Sequence, residues 1–195
     1  PSTAAAIAAR HPYVAAATRP LLLVTVHRRE NCGRRLGAIA AALARLAAFC
    51  EAEIVLPLHP NPAVQGLLRD RLEGLEGVHL VPPLDHLSMV WMMRQAHCLL
   101  TDSGGLQEEA PALGLRCLVL RQTTERREAL AAGAAELVEL NADSIVSAVR
   151  RTLLRRPLKP VHPFGDGRAA ARIAEVISRW LATGMTERQA VSALP

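Results

Sequence analysis

Six short apolar runs alternate with amphipathic stretches along this chain of 195 residues, and that alternation is the strongest constraint on its fold. The first run, Leu21–Val26, is apolar except for Thr25, which is typical of a strand buried on both faces of a sheet. The other runs are Ile54–Leu58, Val78–Val81, Cys98–Thr101, Cys117–Leu120 and Glu136–Val138. Because consecutive parallel strands need a crossover between them, the pattern predicts an α/β fold with a Rossmann-like, doubly wound parallel sheet of about six strands.

Shifts in composition set the predicted domain boundaries. Residues 21–155 contain the strands and the helices between them and are predicted to form one domain. Residues 1–20 are Ala-rich and are predicted to be a linker or a residual helix. Residues 156–182 combine a Pro-rich linker with a final helix at Arg168–Leu181, and residues 183–195 are expected to be a loosely ordered tail.

The overall composition limits the classes of ligand and the location. Half of the residues are hydrophobic, which suffices for a buried core, but only 3% are aromatic. A nucleic-acid interface combines a basic face with stacking aromatics, so scattered arginines and a formal charge of +5 favour an anionic small ligand and no nucleic acid. No apolar run reaches the ~20 residues that span a bilayer, and the first residues lack a signal-peptide pattern, so we expect no membrane association and a cytoplasmic location.

The four cysteines do not form a metal-binding pattern. Cys32, Cys50, Cys98 and Cys117 are far apart in the sequence, and none belongs to a C-x-x-C pair. We therefore expect free thiols in a reducing compartment, with no metal site and no cofactor.

Four polar segments follow predicted strands at their carboxyl ends. They are HRREN at residues 27–31, HPNP at residues 59–62, TDSGG at residues 101–105 and RQTTER at residues 121–126. The carboxyl ends of parallel strands meet at one edge of a sheet, where open α/β folds bind their ligands. The four segments therefore predict one binding site at this edge.

The most specific of these segments contains Ser103, Gly104 and Gly105 between a strand and a helix. Glycines let the backbone approach a ligand, and the free N–H groups and dipole of a helix N-terminus favour an anion such as phosphate. Ser103 is expected to cap the helix or to donate to a phosphate oxygen. Glu108 and Glu109 are expected in the first helical turn, where one of them accepts hydrogen bonds from a ribose diol. An ordinary capped helix with acids matched to its dipole fits the same residues.

Each of the other segments has two interpretations. His27 and Arg28 directly after a buried strand suit phosphate, which arginine binds bidentately, but they also fit a solvated loop with an internal Arg–Glu pair. His59 lies in a segment that a simple turn explains. Arg126 or Arg127 can reach a diphosphate from the same edge, or both can belong to the solvated start of a helix.

Together the segments resemble one enzyme family. The runs VTVHRREN, LPLHPNP, LLTDSGGLQEEAPALG, RQTTERREAL and HPFGDGRAAARI have the order and spacing found in bacterial non-hydrolysing UDP-N-acetylglucosamine 2-epimerases, from about Leu21 to Trp180. Members of this family are similar in fold to GT-B glycosyltransferases, which have two Rossmann-like domains with a cleft between them. This chain resembles the C-terminal half of a GT-B fold, so residues 1–20 would come from the interdomain hinge.

The resemblance implies that UDP and a UDP-N-acetylhexosamine bind at this edge. His27 looks like the histidine of the family that contacts the nucleotide. Ser103, Gly104 and Gly105 look like the cradle for the diphosphate, and Glu109 looks like the carboxylate that holds the ribose hydroxyls.

The resemblance also assigns roles to positions that depart from the family pattern. Arg126 looks like the arginine that reaches the diphosphate, but Arg127 follows it where the family has proline, so the loop loses a preset backbone. Met89 stands where the family usually has phenylalanine near the uracil. Arg28 and His59 match positions linked to a regulatory site, where a second UDP-sugar activates some bacterial members.

The family activity needs residues that this chain is not expected to supply. The family converts UDP-GlcNAc to UDP-ManNAc for cell-envelope polysaccharides, by eliminating UDP and adding it back. Proton transfer at C2 needs acid/base carboxylates on both faces of the sugar, and in the family these lie in the first domain. No catalytic residue is therefore assigned here, and the chain alone is expected to be inactive.

The implied partners are a missing N-terminal catalytic domain and a second copy of the protein, because the family is usually dimeric. Two other functions remain open. One is a catalytically silent UDP-sugar-binding module. The other is the donor domain of a GT-B glycosyltransferase, which the combination of TDSGGLQEEAP with HRREN disfavours.

Overall fold

The computed structural model of the protein describes residues 3–31 and 33–183. Its strands are β1 (Leu21–Thr25), β2 (Glu53–Pro57), β3 (Val78–Val81), β4 (Cys98–Thr101), β5 (Cys117–Val119) and β6 (Ala135–Leu137). Its α-helices are α1 (Thr3–Arg10), α2 (Pro12–Ala16), α3 (Arg34–Ala48), α4 (Pro62–Leu72), α5 (His86–Gln95), α6 (Gly104–Ala112), α7 (Arg127–Ala131), α8 (Ala142–Leu153) and α9 (Ala169–Thr183). A short 3-10 turn at Arg29–Asn31 lies between β1 and α3.

The described strands form one six-stranded sheet in the order β3-β2-β1-β4-β5-β6. Every pair of neighbours is parallel. The chain moves from β1 outward to β3, returns to β4 beside β1, and then moves outward on the other side to β6. This reversal confirms the predicted doubly wound sheet, and it places the topological switch point between β1 and β4.

Two hydrophobic clusters cover the faces of the sheet. One contains side chains of α3, α4 and α8 with Leu22 and Ile54, and the other contains side chains of α5 and α6 with Leu23 and Val55. Leu22 and Leu23 are neighbours in β1, yet they belong to different clusters and both are 0% exposed. Consecutive positions of β1 are apolar, rather than alternate ones, because both of its faces are covered.

The linker after α8 is fixed to the end of α6. Gly114 follows that helix with a φ of +72°, and a Cβ placed on it would lie 2.6 Å from the carbonyl oxygen of Leu158. The backbone N–H of Val161 donates to the carbonyl of Pro111 at 3.0 Å. Glycine is required here for its left-handed backbone and for the close approach of the linker.

The chain divides into two compact units, residues 1–163 and residues 164–195. The first contains the whole sheet together with α1 to α8. In the second, Asp166 precedes α9, accepts the backbone N–H of Arg168 and binds the side chain of Arg172 within that helix. The predicted tail, residues 183–195, lies outside the described residues apart from the backbone of Thr183. No helix in the described ranges is long and apolar enough to cross a membrane.

Candidate functional site

A cavity of about 260 Å³ lies at the carboxyl edge of the sheet, where the polar segments end. Four of the predicted site residues, His27, His59, Met89 and Ser103, line it. Most of the remaining lining is apolar and comes from the ends of β1 and β2, the loop before α5 and the start of α6. A concave, mostly apolar wall with a few polar groups is the usual form of a small-molecule site.

A buried carboxylate, Asp102, organises the segment that follows β1. Its Oδ2 accepts the backbone N–H of Arg28 at 2.9 Å and the side-chain amide of Asn31 at 2.9 Å. The backbone N–H of His27 lies 3.1 and 3.2 Å from the two carboxylate oxygens. The side chain of Asp102 is 0% exposed, so hydrogen bonds from this one segment stabilise its carboxylate in place of water. The backbone at His27 and Arg28 is therefore fixed.

The sequence analysis assigned no role to Asp102, although a signal for it was present. Thr25 and Thr101 are register partners at the ends of β1 and β4. Asp102 therefore lies beside the residues that follow Thr25. The two threonine hydroxyl oxygens are 2.6 Å apart in the core, and Thr101 Oγ1 also accepts the backbone N–H of Ser103 at 2.9 Å. The polar exceptions in two otherwise apolar strands thus hold the site together.

The ring of His27 is oriented by Asp102 and lies beside a second histidine. His27 Nδ1 is 3.1 Å from Asp102 Oδ1, which leaves Nε2 as the nitrogen available to a ligand. Its ring centroid is 5.8 Å from that of His59, and the planes differ by 20°. His59 also accepts the backbone N–H of Asn61, whose side chain caps α4 by accepting the N–H of Ala63. His59 is therefore both a turn residue and part of the cavity wall.

The helix after β4 begins at Gly104, with Ser103 as its N-cap residue. The Ser103 side chain makes no capping hydrogen bond, so the first predicted role of its hydroxyl, helix capping, is not observed. The second predicted role, donation to a phosphate oxygen, stays a prediction. The prediction that Glu108 and Glu109 lie in the first turn is wrong, because the glycines themselves occupy the first helical positions and no acid lies in that turn. Glu109 Oε2 lies 3.9 Å from His86 Nδ1 at the start of α5.

A buried amide, Gln107, joins the start of α6 to the loop after β5. Its Nε2 donates to the carbonyl of Ser103 at 3.0 Å, and its Oε1 accepts the hydroxyl of Thr124 at 2.6 Å. The same Thr124 hydroxyl oxygen accepts the backbone N–H of Arg126 at 3.1 Å. Gln107 is 0% exposed, so it acts on the protein rather than on a ligand. The sequence analysis missed it for that reason.

Arg126 lies over the N-terminus of α6. Its guanidinium carbon would be 3.2 Å from a Cβ placed on Gly104, and its Nε donates to Glu108 at 2.8 Å. Its Nη1 lies 3.6 Å from Glu125. The two segments that the sequence singled out for a diphosphate therefore meet in space. Arg127, which replaces the usual proline, is the first residue of α7.

A second arginine, Arg121, stabilises the same loop from within. Its side chain is 9% exposed and donates to Glu30 at 3.2 Å and to Glu125 at 2.8 Å. The hydrogen bond from Arg121 lowers the pKa of Glu125 to about 2. Glu30 therefore pairs with an arginine of another segment, whereas the sequence analysis considered a pair within its own segment. Among the described residues, no cluster of histidine, cysteine and acidic side chains is arranged to hold a metal ion.

Comparison with known proteins relates this site to one family. The family model described as UDP-N-acetylglucosamine 2-epimerase matches residues 2–178. A probable UDP-N-acetylglucosamine 2-epimerase of Ralstonia nicotianae is 45% identical over 171 residues, which is 84% of this chain and 45% of that protein. The UDP-N-acetylglucosamine 2-epimerase of Salmonella typhimurium is 40% identical over 182 residues, which is 90% of this chain and 48% of that protein.

A solved structure extends the similarity to three dimensions. The crystal structure of the UDP-GlcNAc 2-epimerase from Neisseria meningitidis bound to UDP-GlcNAc matches with a TM-score of 0.82 and 34% sequence identity. The match covers 90% of this chain and 48% of that chain. This chain thus spans about half the length of the relatives it matches.

Proposed function

Because this chain belongs to the UDP-N-acetylglucosamine 2-epimerase family, we propose that its cavity binds UDP and a UDP-N-acetylhexosamine. The single observation that carries the proposal is the meeting of Arg126 with the N-terminus of α6, where the neighbouring Ser103 and Leu106 line the cavity although Arg126 itself does not. A helix N-terminus offers free N–H groups and a positive partial charge, and a guanidinium adds a full charge with paired donors. Together they suit a diphosphate.

The neighbouring residues provide for the remaining parts of the ligand. The apolar wall at Leu84 and Met89 suits the flat face of a base, and Met89 can replace an aromatic residue there because its side chain is polarisable and adaptable. Glu109 on α6 is our candidate for the ribose hydroxyls. His27, with Nδ1 taken by Asp102, directs its other nitrogen to the nucleotide. Arg28 and His59 are our candidates for a second, regulatory UDP-sugar.

We propose that the whole protein catalyses 2-epimerisation of UDP-GlcNAc, with the acid/base carboxylates in a second domain. The lengths of the relatives support this, since the chain spans about half of each. Binding residues can stabilise departing UDP, but abstraction of the C2 proton needs a base in contact with that carbon. We place the complete protein in the cytoplasm as a homodimer, supplying sugar nucleotide for cell-envelope polysaccharides.

Binding is tested by isothermal calorimetry with UDP. We expect saturable binding, and we expect Arg126→Ala to weaken it by about tenfold or more, because a hydrogen bond to a charged group contributes about 1.5–3 kcal/mol. The matched control is Arg127→Ala, which removes the same charge from the next position and should leave affinity unchanged. Absence of heat and of thermal stabilisation at millimolar UDP would overturn the proposal, as would an equal loss in both variants.

The placement of the catalytic groups has its own test. The chain is incubated with UDP-GlcNAc in deuterated water, and C2 is followed by NMR. We expect no deuterium at C2 and no UDP-ManNAc, because general acid–base groups contribute about 10²–10⁴-fold each and the family groups belong to the other domain. Exchange at an enzymatic rate would show that a base lies within this chain. Binding without exchange, in a protein shown to have no second domain, would favour the catalytically silent module.

A further inference from the structure

A second cavity, also of about 260 Å³, lies at the amino ends of the strands, on the opposite edge from the candidate nucleotide site. It is bounded by the segments that precede β4 and β5 and by the end of α8. Four arginines line it, Arg94, Arg116, Arg155 and Arg156, and no acidic residue does. None of its lining residues belongs to the first cavity.

The charge of this cavity, which we call the amino-edge pocket, is not fully neutralised by nearby acids. Glu136 lies 4.0 Å from Arg155 but makes a shorter contact of 2.5 Å with Arg151, which does not line the pocket. In the described part of the chain, Arg94, Arg116 and Arg156 form no ion pair with an acidic side chain. The entire protein has an excess of only five positive charges, so four arginines in one cavity are a marked concentration.

The arginines have another possible partner, because α5, α6 and α8 all end near this edge. A helix C-terminus carries about half a negative charge, so three of them offset about one and a half of the four positive charges. With Glu136 counted in full, a surplus of about one to two positive charges is left. Helix dipoles therefore explain part of the arginine content and not all of it.

Arg116 gives a second, independent observation. Its Nη1 donates to the carbonyl of Gly133 at 3.1 Å and its Nη2 to that of Arg156 at 3.5 Å, so the guanidinium is anchored to backbone. Its Nε is enclosed by protein atoms and has no hydrogen-bond acceptor among the residues that the structure describes. Arg116 also lines the pocket, so one of the pocket's four guanidinium groups is held in place by the protein before any ligand binds.

We propose that the amino-edge pocket binds a phosphate group, either inorganic phosphate or a phosphomonoester. A doubly charged oxyanion matches the positive surplus, and guanidinium donors suit its tetrahedral oxygens. His97 also lines the pocket, and its Nδ1 accepts the backbone N–H of Leu21 at 3.0 Å, so the neutral ring carries its proton on Nε2. The pocket is therefore lined by hydrogen-bond donors. This site does not depend on the proposed function of the other edge.

The test is a calorimetric titration of the chain with inorganic phosphate, repeated with glycerol phosphate and with sodium chloride of equal ionic strength. Arg94→Gln combined with Arg156→Gln should weaken phosphate binding at least tenfold while leaving UDP binding unchanged. Both side chains are exposed, so the double variant should fold. The charge-matched control pairs Arg71→Gln on α4 with Arg127→Gln, and it should bind phosphate as the unaltered chain does.

Each outcome bears on the site. Tighter binding of glycerol phosphate than of inorganic phosphate would assign the pocket to a phosphomonoester, and the reverse order to free phosphate. An equal loss in the control double variant would overturn the proposal, since the effect would then be diffuse charge. Competition between phosphate and UDP for binding would overturn it as well. So would a phosphate titration that shows no saturable heat beyond that of the sodium chloride titration.

Discussion

Replacing the buried carboxylate of Asp102 with an amide should destabilise the protein far more than the loss of one surface charge. The carboxylate accepts from the backbone of His27 and Arg28 and from the side chain of Asn31, and it also contacts the His27 ring. In Asp102→Asn one oxygen becomes an NH₂ group that faces these donors. A hydrogen bond to a charged group contributes about 1.5–3 kcal/mol, and each carboxylate oxygen contacts at least two donor groups, so losing two of these contacts predicts a cost of about 3–6 kcal/mol.

That cost is a large share of the ~5–15 kcal/mol that stabilises a typical domain. For a chain of this size that cost corresponds to a fall in melting temperature of roughly 6–24 °C. The measurement is urea unfolding followed by circular dichroism, together with a thermal scan. Asp143→Asn is the control, because that side chain is 87% exposed and its pair with Arg45 is a surface one worth about 0–1 kcal/mol.

A second measurement separates a structural role from an effect on the site. UDP affinity should fall in Asp102→Asn at temperatures where the variant is still folded, because the backbone at His27 and Arg28 is no longer fixed. If Asp102→Asn and Asp143→Asn differ by less than about 1 kcal/mol, the carboxylate is not the organising group that its contacts indicate.

Three further predictions concern backbone strain and ionisation. Gly114→Ala should lower the free energy of unfolding more than Gly133→Ala does. Both glycines have a positive φ, but of the two only Gly114 would bring its new Cβ against backbone. Equal losses in urea unfolding would contradict this. Burial raises the pKa of Tyr13 to about 12, so folding stability should be full below pH ~10 and fall as the pH rises through 12. Tyr13 is the single tyrosine, so tyrosinate absorbance reports it alone, and a midpoint near 10 in the folded protein would refute the burial. The hydrogen bond from Arg121 is the main cause that lowers the pKa of Glu125 to about 2. The contribution of Glu125 to folding stability is therefore present above pH ~4.5 and lost as the pH falls through 2. Carboxyl NMR should find a higher pKa for Glu125 in Arg121→Gln.

The strands could be predicted closely because both faces of the sheet are covered. β3 and β4 have the predicted bounds, and the other strands differ by one residue at each end or less. Glycine has a low helix propensity, so the sequence predicts that the helix begins after Gly105, at Leu106. That start is two residues later than in the structure. In the structure Gly104 and Gly105 are already helical, which moves Glu108 and Glu109 out of the first turn.

Part of the site was accessible from sequence because its residues follow strands directly. Chain topology brings the ends of β1, β2 and β4 together, so His27, His59 and Ser103 line one cavity. Asp102 and Gln107 were missed because their partners are other parts of the protein, and such partners are known only once the register of the strands is fixed. Sequence patterns indicate groups suited to a ligand more readily than the groups that hold them in place.

The attachment of the linker to α6 means that this one helix connects the candidate ligand edge of the sheet to the linker. Its N-terminus lies under Arg126 at the candidate ligand edge, and its other end carries the linker through Pro111 and Gly114. Nine helical residues span about 13 Å at 1.5 Å per residue, and a helix resists compression along its axis. Any axial shift of α6 on ligand binding would therefore also displace the linker at Leu158 and Val161, at the far end of the helix from the candidate ligand edge.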